Sequence, residues 1–189
     1  MPDFDALYRR DADPWQVRSS FYERRKLEIV LASLSSATYA AAWDPACGVG
    51  ELAARLAERS TRVLATDASA EAVRLTRERC AGLDAITTVG QALPAAPPGS
   101  FPPPDLVVLS EFLYYLTAAD RTASLQMIDA AAAREAELMS LHWRHKPGDA
   151  WLSGAETQIE IGQALAASGW QRVVHHEDRD FVLDAFERR

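Results

Sequence analysis

Cysteine is scarce in this chain. Cys47 and Cys80 are the only two among 189 residues, too few and too far apart to form a disulfide framework. Long apolar runs are missing as well. No stretch approaches the ~20 consecutive apolar residues that a bilayer-spanning helix needs. The opening MPDFDALYRRDADPW is charged throughout and has no apolar core of signal-peptide length. A reduced, cytosolic protein without a membrane partner is expected. Positive charge is in deficit, with 20 Lys and Arg against 27 Asp and Glu, a formal net charge of −7. A surface that neutralises a phosphate backbone shows the opposite balance, so no nucleic-acid partner is expected. An acidic field draws in cations instead, amines included. No His or carboxylate cluster with metal-ligand spacing occurs either. His175 and His176 adjoin in a β-like run and so point to opposite faces, and no metal is expected. No internal repeat and no linker divides the chain, which reads as one domain: a helical cap over residues 1–40 and an α/β core over 41–189.

What is present alternates. FYERRKLEIVLASL (21–34) places Tyr22, Leu27, Val30, Leu31 and Leu34 near one helical face, with Ser19 or Ser20 able to cap it. YAAAW then leads into a glycine loop, and Glu51 to Arg59 reads as the helix that follows. TRVLATD (61–67) is a second strand, SAEAVRLTRERC (69–80) a helix capped by Ser69, and DAITTVG (84–90) a third strand. The six prolines of QALPAAPPGSFPPP (91–104) rule out regular structure there. DLVVLS (105–110) is a continuous apolar run, the pattern of a strand buried on both faces. An alanine-rich helix is predicted over 118–136, a fifth strand over 137–143, and a helix over 154–168 with Ile159, Ile161 and Leu165 available to pack. WQRVVHHEDRDFVLDAFERR closes the chain as two β runs around a charged turn, an antiparallel hairpin. Strands alternating with helices imply a parallel sheet wrapped on both faces.

The glycine loop fits two frames. Gly48-Val49-Gly50-Glu51-Leu52-Ala53 matches the G-x-G-x-x-A turn of dinucleotide-binding domains, and Asp44-Pro45-Ala46-Cys47-Gly48-Val49-Gly50 matches a loop used for S-adenosylmethionine. In both, glycines let backbone approach a ligand at the carboxyl end of a strand. Three features favour the methyl donor over an NAD(P)-dependent oxidoreductase. About forty helical residues precede the loop, no separate substrate domain follows it, and the sheet ends in an antiparallel hairpin.

From Trp43 to Glu187 the chain resembles the class I S-adenosylmethionine-dependent methyltransferases. That resemblance implies a Rossmann-like fold: a mostly parallel seven-stranded sheet with helices on both faces and a C-terminal antiparallel hairpin. The family loop, acidic-x-Gly-x-Gly-x-Gly, stands here as Asp44, Ala46, Gly48 and Gly50, with Ala46 replacing the first glycine. By the same resemblance Asp67 takes the ribose hydroxyls, Ala68 follows it, and Gln91 and the Ala92 N–H stand where the adenine would lie. Ser110 completes the cofactor set from the end of the fourth strand. DPWQVRSSFYERRK, LSEFLYYL and HWRH, in that order, narrow the resemblance to the nodulation protein S family. Those enzymes N-methylate the free amine of a de-N-acetylated chitooligosaccharide.

Methyl transfer is an in-line displacement at a carbon already activated by a sulfonium, so the protein must align the nucleophile and leave its lone pair free. A protonated amine cannot attack until it loses its proton. The strand ends supply Glu111, able to attract an ammonium and accept its proton, and His142, which titrates near neutrality. Tyr115, Trp143 and Arg144 are candidates for the acceptor, a small-molecule or oligosaccharide amine. Trp15 and Tyr22 are candidates to cover the cofactor, and Arg25 or Lys26 to pair with its carboxylate. A non-catalytic binder of S-adenosylmethionine is the rival from another class, and Glu111 together with His142 argues against it.

Overall fold

A computed structural model describes residues 2–188. They fall into two compact units, one spanning Asp3–Ala92 and the other continuing from Leu93.

The first unit opens with two helices. α1 (Phe4–Arg10) is capped by Asp3, whose side chain accepts from the Ala6 N–H at 2.9 Å. α2 (Phe21–Ser33) begins after Ser20, which adopts an extended backbone and makes no side-chain cap. Three parallel strands follow with their crossover helices: β1 (Tyr39–Asp44), α3 (Glu51–Leu56), β2 (Ser60–Asp67), α4 (Ala70–Arg79) and β3 (Ile86–Gly90). β2 lies between the other two, pairing Ala42 with Val63 on one side and Val63 with Ile86 on the other. Ser69 caps α4 by accepting from the Ala72 N–H at 3.1 Å, as its sequence position predicts.

α3 stops at Leu56, three residues short of the predicted end. Arg59 accounts for the difference. Its guanidinium donates to the carbonyls of Leu31 at 2.6 Å, Ala37 at 3.3 Å and Ser36, which ties the segment to the end of α2 rather than to another helical turn.

The second unit holds β4 (Leu106–Ser110), a single 3-10 turn at Leu113–Tyr115, α5 (Ala118–Ala131), β5 (Ala136–Trp143), α6 (Gly154–Ala167), β6 (Gln171–Glu177) and β7 (Phe181–Arg188). β4 pairs parallel with β5, and β7 runs antiparallel to both β5 and β6. All seven strands belong to one mostly parallel sheet. β4 is buried along Leu106–Leu109, as a continuous apolar run requires. β6, with mostly exposed residues, forms an edge. Ser153 and Glu156 form a reciprocal capping box at the start of α6.

α5 ends at Ala131, although alanine continues beyond it. The Arg188 guanidinium donates to the carbonyls of Ala132 and Ala133 at 3.0 and 2.8 Å, and the Ala133 N–H donates to the Pro104 carbonyl. These long-range partners override helix propensity. The apolar LYYL segment forms a 3-10 turn, not a longer helix. Among the described residues, no helix is long and apolar enough to cross a membrane.

Candidate active site

In the first unit the glycine loop follows β1 directly. Its backbone is laced to β2: the Cys47 N–H donates to the Thr66 carbonyl at 3.0 Å, and the Gly48 N–H donates to Asp67 Oδ2 at 2.9 Å. Gly48 and Gly50 have φ of +54° and +80°, the left-handed region that glycine enters without strain. A Cβ at Gly50 would lie 3.0 Å from the Thr76 Cα of α4, so close packing also demands glycine there. A Cβ at Gly48 would come within 3.0 Å of the Tyr8 hydroxyl. Ala46, the departure from the family pattern, is half-buried beside them.

Two carboxylates face this loop. Asp44 is 1% exposed, and its Oδ2 has no hydrogen-bond partner. Burial, and after it the charge of Asp67, pushes Asp44 up to about 8, against the opposing pull of the Ala46 N–H. Asp67 is likewise raised by burial, while the N–H groups of Ser69 and Gly48 pull it back. Its Oδ1 accepts from Ser69 N at 2.9 Å. A buried acid with an unsatisfied oxygen is costly unless a donor or a cation reaches it. The α-ammonium of S-adenosylmethionine is such a group, so the residues present fit that cofactor.

The remaining cofactor candidates of this unit divide. Gln91 is half-buried, and its N–H donates to the Asp67 carbonyl at 2.8 Å, so strand register brings it beside Asp67; Ala68 and Ala92 are exposed. Trp15 is exposed and meets the Tyr8 ring edge-on at 5.7 Å. Tyr22 is half-buried, with the Lys26 ammonium 5.1 Å from its ring centroid. Lys26 is buried and paired with Glu23 at 3.0 Å, so the structure places its charge on a neighbour within α2.

Sequence reasoning placed residues 1–40 in a helical cap but gave α1 neither bounds nor a role. Tyr8 is buried in a cluster with Val49, Ala72 and Leu75. Asp5 Oδ1 accepts from Ser69 Oγ at 2.5 Å and from Glu71 N at 3.1 Å, which fastens α1 to the start of α4. Asp3 as a cap and Phe4, Leu7 and Tyr8 at helical spacing were the available signal.

In the second unit, Ser110 ends β4 half-buried. Glu111 then turns the chain with φ +61°, in the left-handed region that a glutamate seldom adopts. Its Oε2 accepts from the Tyr114 hydroxyl at 2.8 Å and from the Trp143 N–H at 2.6 Å. Tyr115 is half-buried and edge-on to Tyr114 at 4.7 Å. Burial first, then the charges of Asp149 and Glu111, pushes its phenol up to about 12. Trp143 is partly exposed and edge-on to His145. His142 is wholly buried, 3.4 Å from Ser140 Oγ and edge-on to the Tyr114 ring at 5.2 Å. Arg144 binds Glu177 at 2.8 Å and the Asp178 carbonyl at 3.2 Å, in the hairpin turn. Glu111, Tyr115 and His142 thus meet Tyr114, and Trp143 meets Glu111 through its backbone, whereas Arg144 is engaged elsewhere.

The seven-stranded sheet with its closing antiparallel hairpin is the fold of the class I S-adenosylmethionine-dependent methyltransferases, and the comparisons agree. The family model for nodulation protein S (NodS) matches residues 4–174. This chain belongs to that family. A methyltransferase candidate from Pseudomonas syringae is 34% identical over 89% of this chain and 100% of its own, with a TM-score of 0.76. The NodS N-methyltransferase of Bradyrhizobium japonicum WM9, solved with S-adenosylhomocysteine, is 22% identical over 99% of both chains, with a TM-score of 0.84. The DhpI complex with S-adenosylhomocysteine is 18% identical over 97% of this chain and 92% of its own, with a TM-score of 0.74. No protein with a curated description matches the chain. The family match and the relatives solved with S-adenosylhomocysteine make S-adenosylmethionine, not a dinucleotide, the cofactor.

Proposed function

We propose that this methyltransferase N-methylates a primary amine carried by an aminosugar or a related small cation. The observation that carries the reading is Glu111. A glutamate in a left-handed backbone, with one carboxylate oxygen held by two donors, is a costly arrangement for a residue that serves only the fold. It sets a fixed negative charge at the carboxyl end of β4, where open α/β sheets place their ligands. The NodS relative is an N-methyltransferase by name, and the excess of acidic residues, 27 over 20 basic, points the same way.

The roles follow from the chain's own groups. Asp44 is the candidate partner for the cofactor's ammonium, and Gly48 and Gly50 leave room for its methionine portion. Asp67 can accept from the ribose hydroxyls through lone pairs not engaged by Ser69 and Gly48 N–H, and Gln91 with Ala92 borders the adenine. Bound S-adenosylmethionine supplies a methyl group already activated by positive sulfur. Glu111 draws in the acceptor as its ammonium form and is the first group positioned to take the proton that must leave before attack. Full burial of His142 gives it a place behind Tyr114 rather than against a substrate.

The deciding assay offers labelled methyl donor with glucosamine oligomers, their N-acetylated forms and phenolic compounds. Label should enter the free amines, at a rate that rises through neutrality and then levels off. Label in N-acetylated or phenolic compounds alone would overturn the amine reading. No transfer to any acceptor, with S-adenosylhomocysteine still bound, would favour the non-catalytic binder.

A further inference from the structure

After β4 the chain reads Glu111-Phe112-Leu113-Tyr114-Tyr115 and makes one 3-10 turn. Glu111 precedes that turn with a left-handed φ of +61°, and the reversal of the chain there brings its side chain and that of Tyr114 together. The resulting bond is short and defined: Tyr114 Oη donates to Glu111 Oε2 at 2.8 Å. The same oxygen accepts from the Trp143 N–H of β5 at 2.6 Å.

Tyr114 itself cannot move aside. It is 4% exposed. One side of its ring meets His142 at 5.2 Å and 70°, and another meets Tyr115 at 4.7 Å and 78°. Its carbonyl accepts from the Trp151 N–H at 2.9 Å, tying down the loop after β5. The packing here needs only an aromatic ring, which phenylalanine would supply without a hydroxyl to desolvate. The hydroxyl donates to the Glu111 carboxylate and also lies within hydrogen-bonding reach of the Tyr115 phenol.

We propose that Tyr114 is the positioning residue of the acceptor site. Its hydroxyl, with the Trp143 N–H, holds the Glu111 carboxylate ionised and in one orientation, so that an acceptor ammonium meets a fixed anion. The inference rests on the amine reading for the acceptor but not for the geometry. His142 and Tyr115 serve it by clamping the Tyr114 ring from two sides. The groups around the carboxylate are the Tyr114 and Tyr115 phenols, with His142 beside Tyr114 and Asp149 beside Tyr115. Burial keeps the Tyr115 phenol neutral across any working pH, so that side chain adds no titration of its own.

Tyr114→Phe keeps the ring and removes the hydroxyl. The test uses the full chain saturated with S-adenosylhomocysteine, labelled with carbon-13 at glutamate carboxyls, the Glu111 signal being identified by its loss in Glu111→Gln. Donors to a carboxylate favour its charged form, so in Tyr114→Phe the Glu111 midpoint should rise by about half a pH unit or more. Turnover of glucosamine oligomers should fall about tenfold, the worth of one hydrogen bond to a charged group. Affinity for S-adenosylhomocysteine should stay within about twofold, since that ligand lacks the amine acceptor. A Glu111 midpoint unchanged in Tyr114→Phe overturns the proposal, whatever the activity. A raised midpoint in a protein that methylates no amine supports the positioning role and removes the amine reading instead.

Discussion

Asp44 shows how one residue links the cofactor loop to stability. Its folded value of about 8 stands far above its ordinary 3.8, and burial is the first cause. The folded protein without ligand therefore holds this proton more tightly than the unfolded chain does. Stability from this group is complete below about pH 4 and is lost as pH rises through about 8. Asp67, raised in the same direction, adds to the trend. Urea midpoints measured from pH 6 to pH 9 should fall more steeply for the native protein than for Asp44→Asn. Saturating S-adenosylhomocysteine should flatten the difference, because an ammonium at Asp44 stabilises the charged form. An Asp44→Asn slope equal to that of the native protein would remove Asp44 as its source. The acid itself is legible as the first member of the loop motif, but its titration is not, since that depends on how completely β1 and the loop exclude water.

At the scale of elements, the join between β5 and α6 leaves no room for a side chain at Gly154. Gly154 opens α6, and a Cβ there would lie 1.9 Å from the Trp143 carbonyl oxygen and 2.9 Å from the His142 Cβ. Backbone must shift to admit even alanine. Gly154→Ala should cost about 2–4 kcal/mol, above ordinary overpacking because the clash is with main chain, read as a lowered urea midpoint at unchanged slope. A midpoint within experimental scatter of the native one would show that α6 can slide. Nothing in the sequence marks this glycine out, because the atom it avoids belongs to a different strand. Element type was legible almost throughout, since alternating and helical periods are local: α2, α4 and β4 lie within two residues of their predicted bounds. Elements whose ends are set by distant donors were not. Arg59 ends α3, and Arg188 marks the end of α5.

For the whole molecule, the chemistry predicts independence from metal. A sulfonium methyl is already activated for displacement and needs no Lewis acid. Methyl transfer should therefore continue in excess chelator. Loss of turnover restored by magnesium or zinc would show a site assembled only with substrate present. The sequence by itself determined the alternation of strands and helices, the closing hairpin, the glycine loop and its two acids. Each of these depends on neighbours in the chain, through periodicity, capping or the freedom of glycine to take positive φ. Only the tertiary structure decided that His142 is sealed from solvent and that α1 is fastened to α4 through Asp5. It alone set Tyr114 and the Trp143 N–H on one oxygen of Glu111. That last arrangement joins Glu111, at the end of β4, to a strand residue thirty-two positions away, and a hydrogen bond across such a separation is fixed by sheet register, which no local pattern of residues encodes.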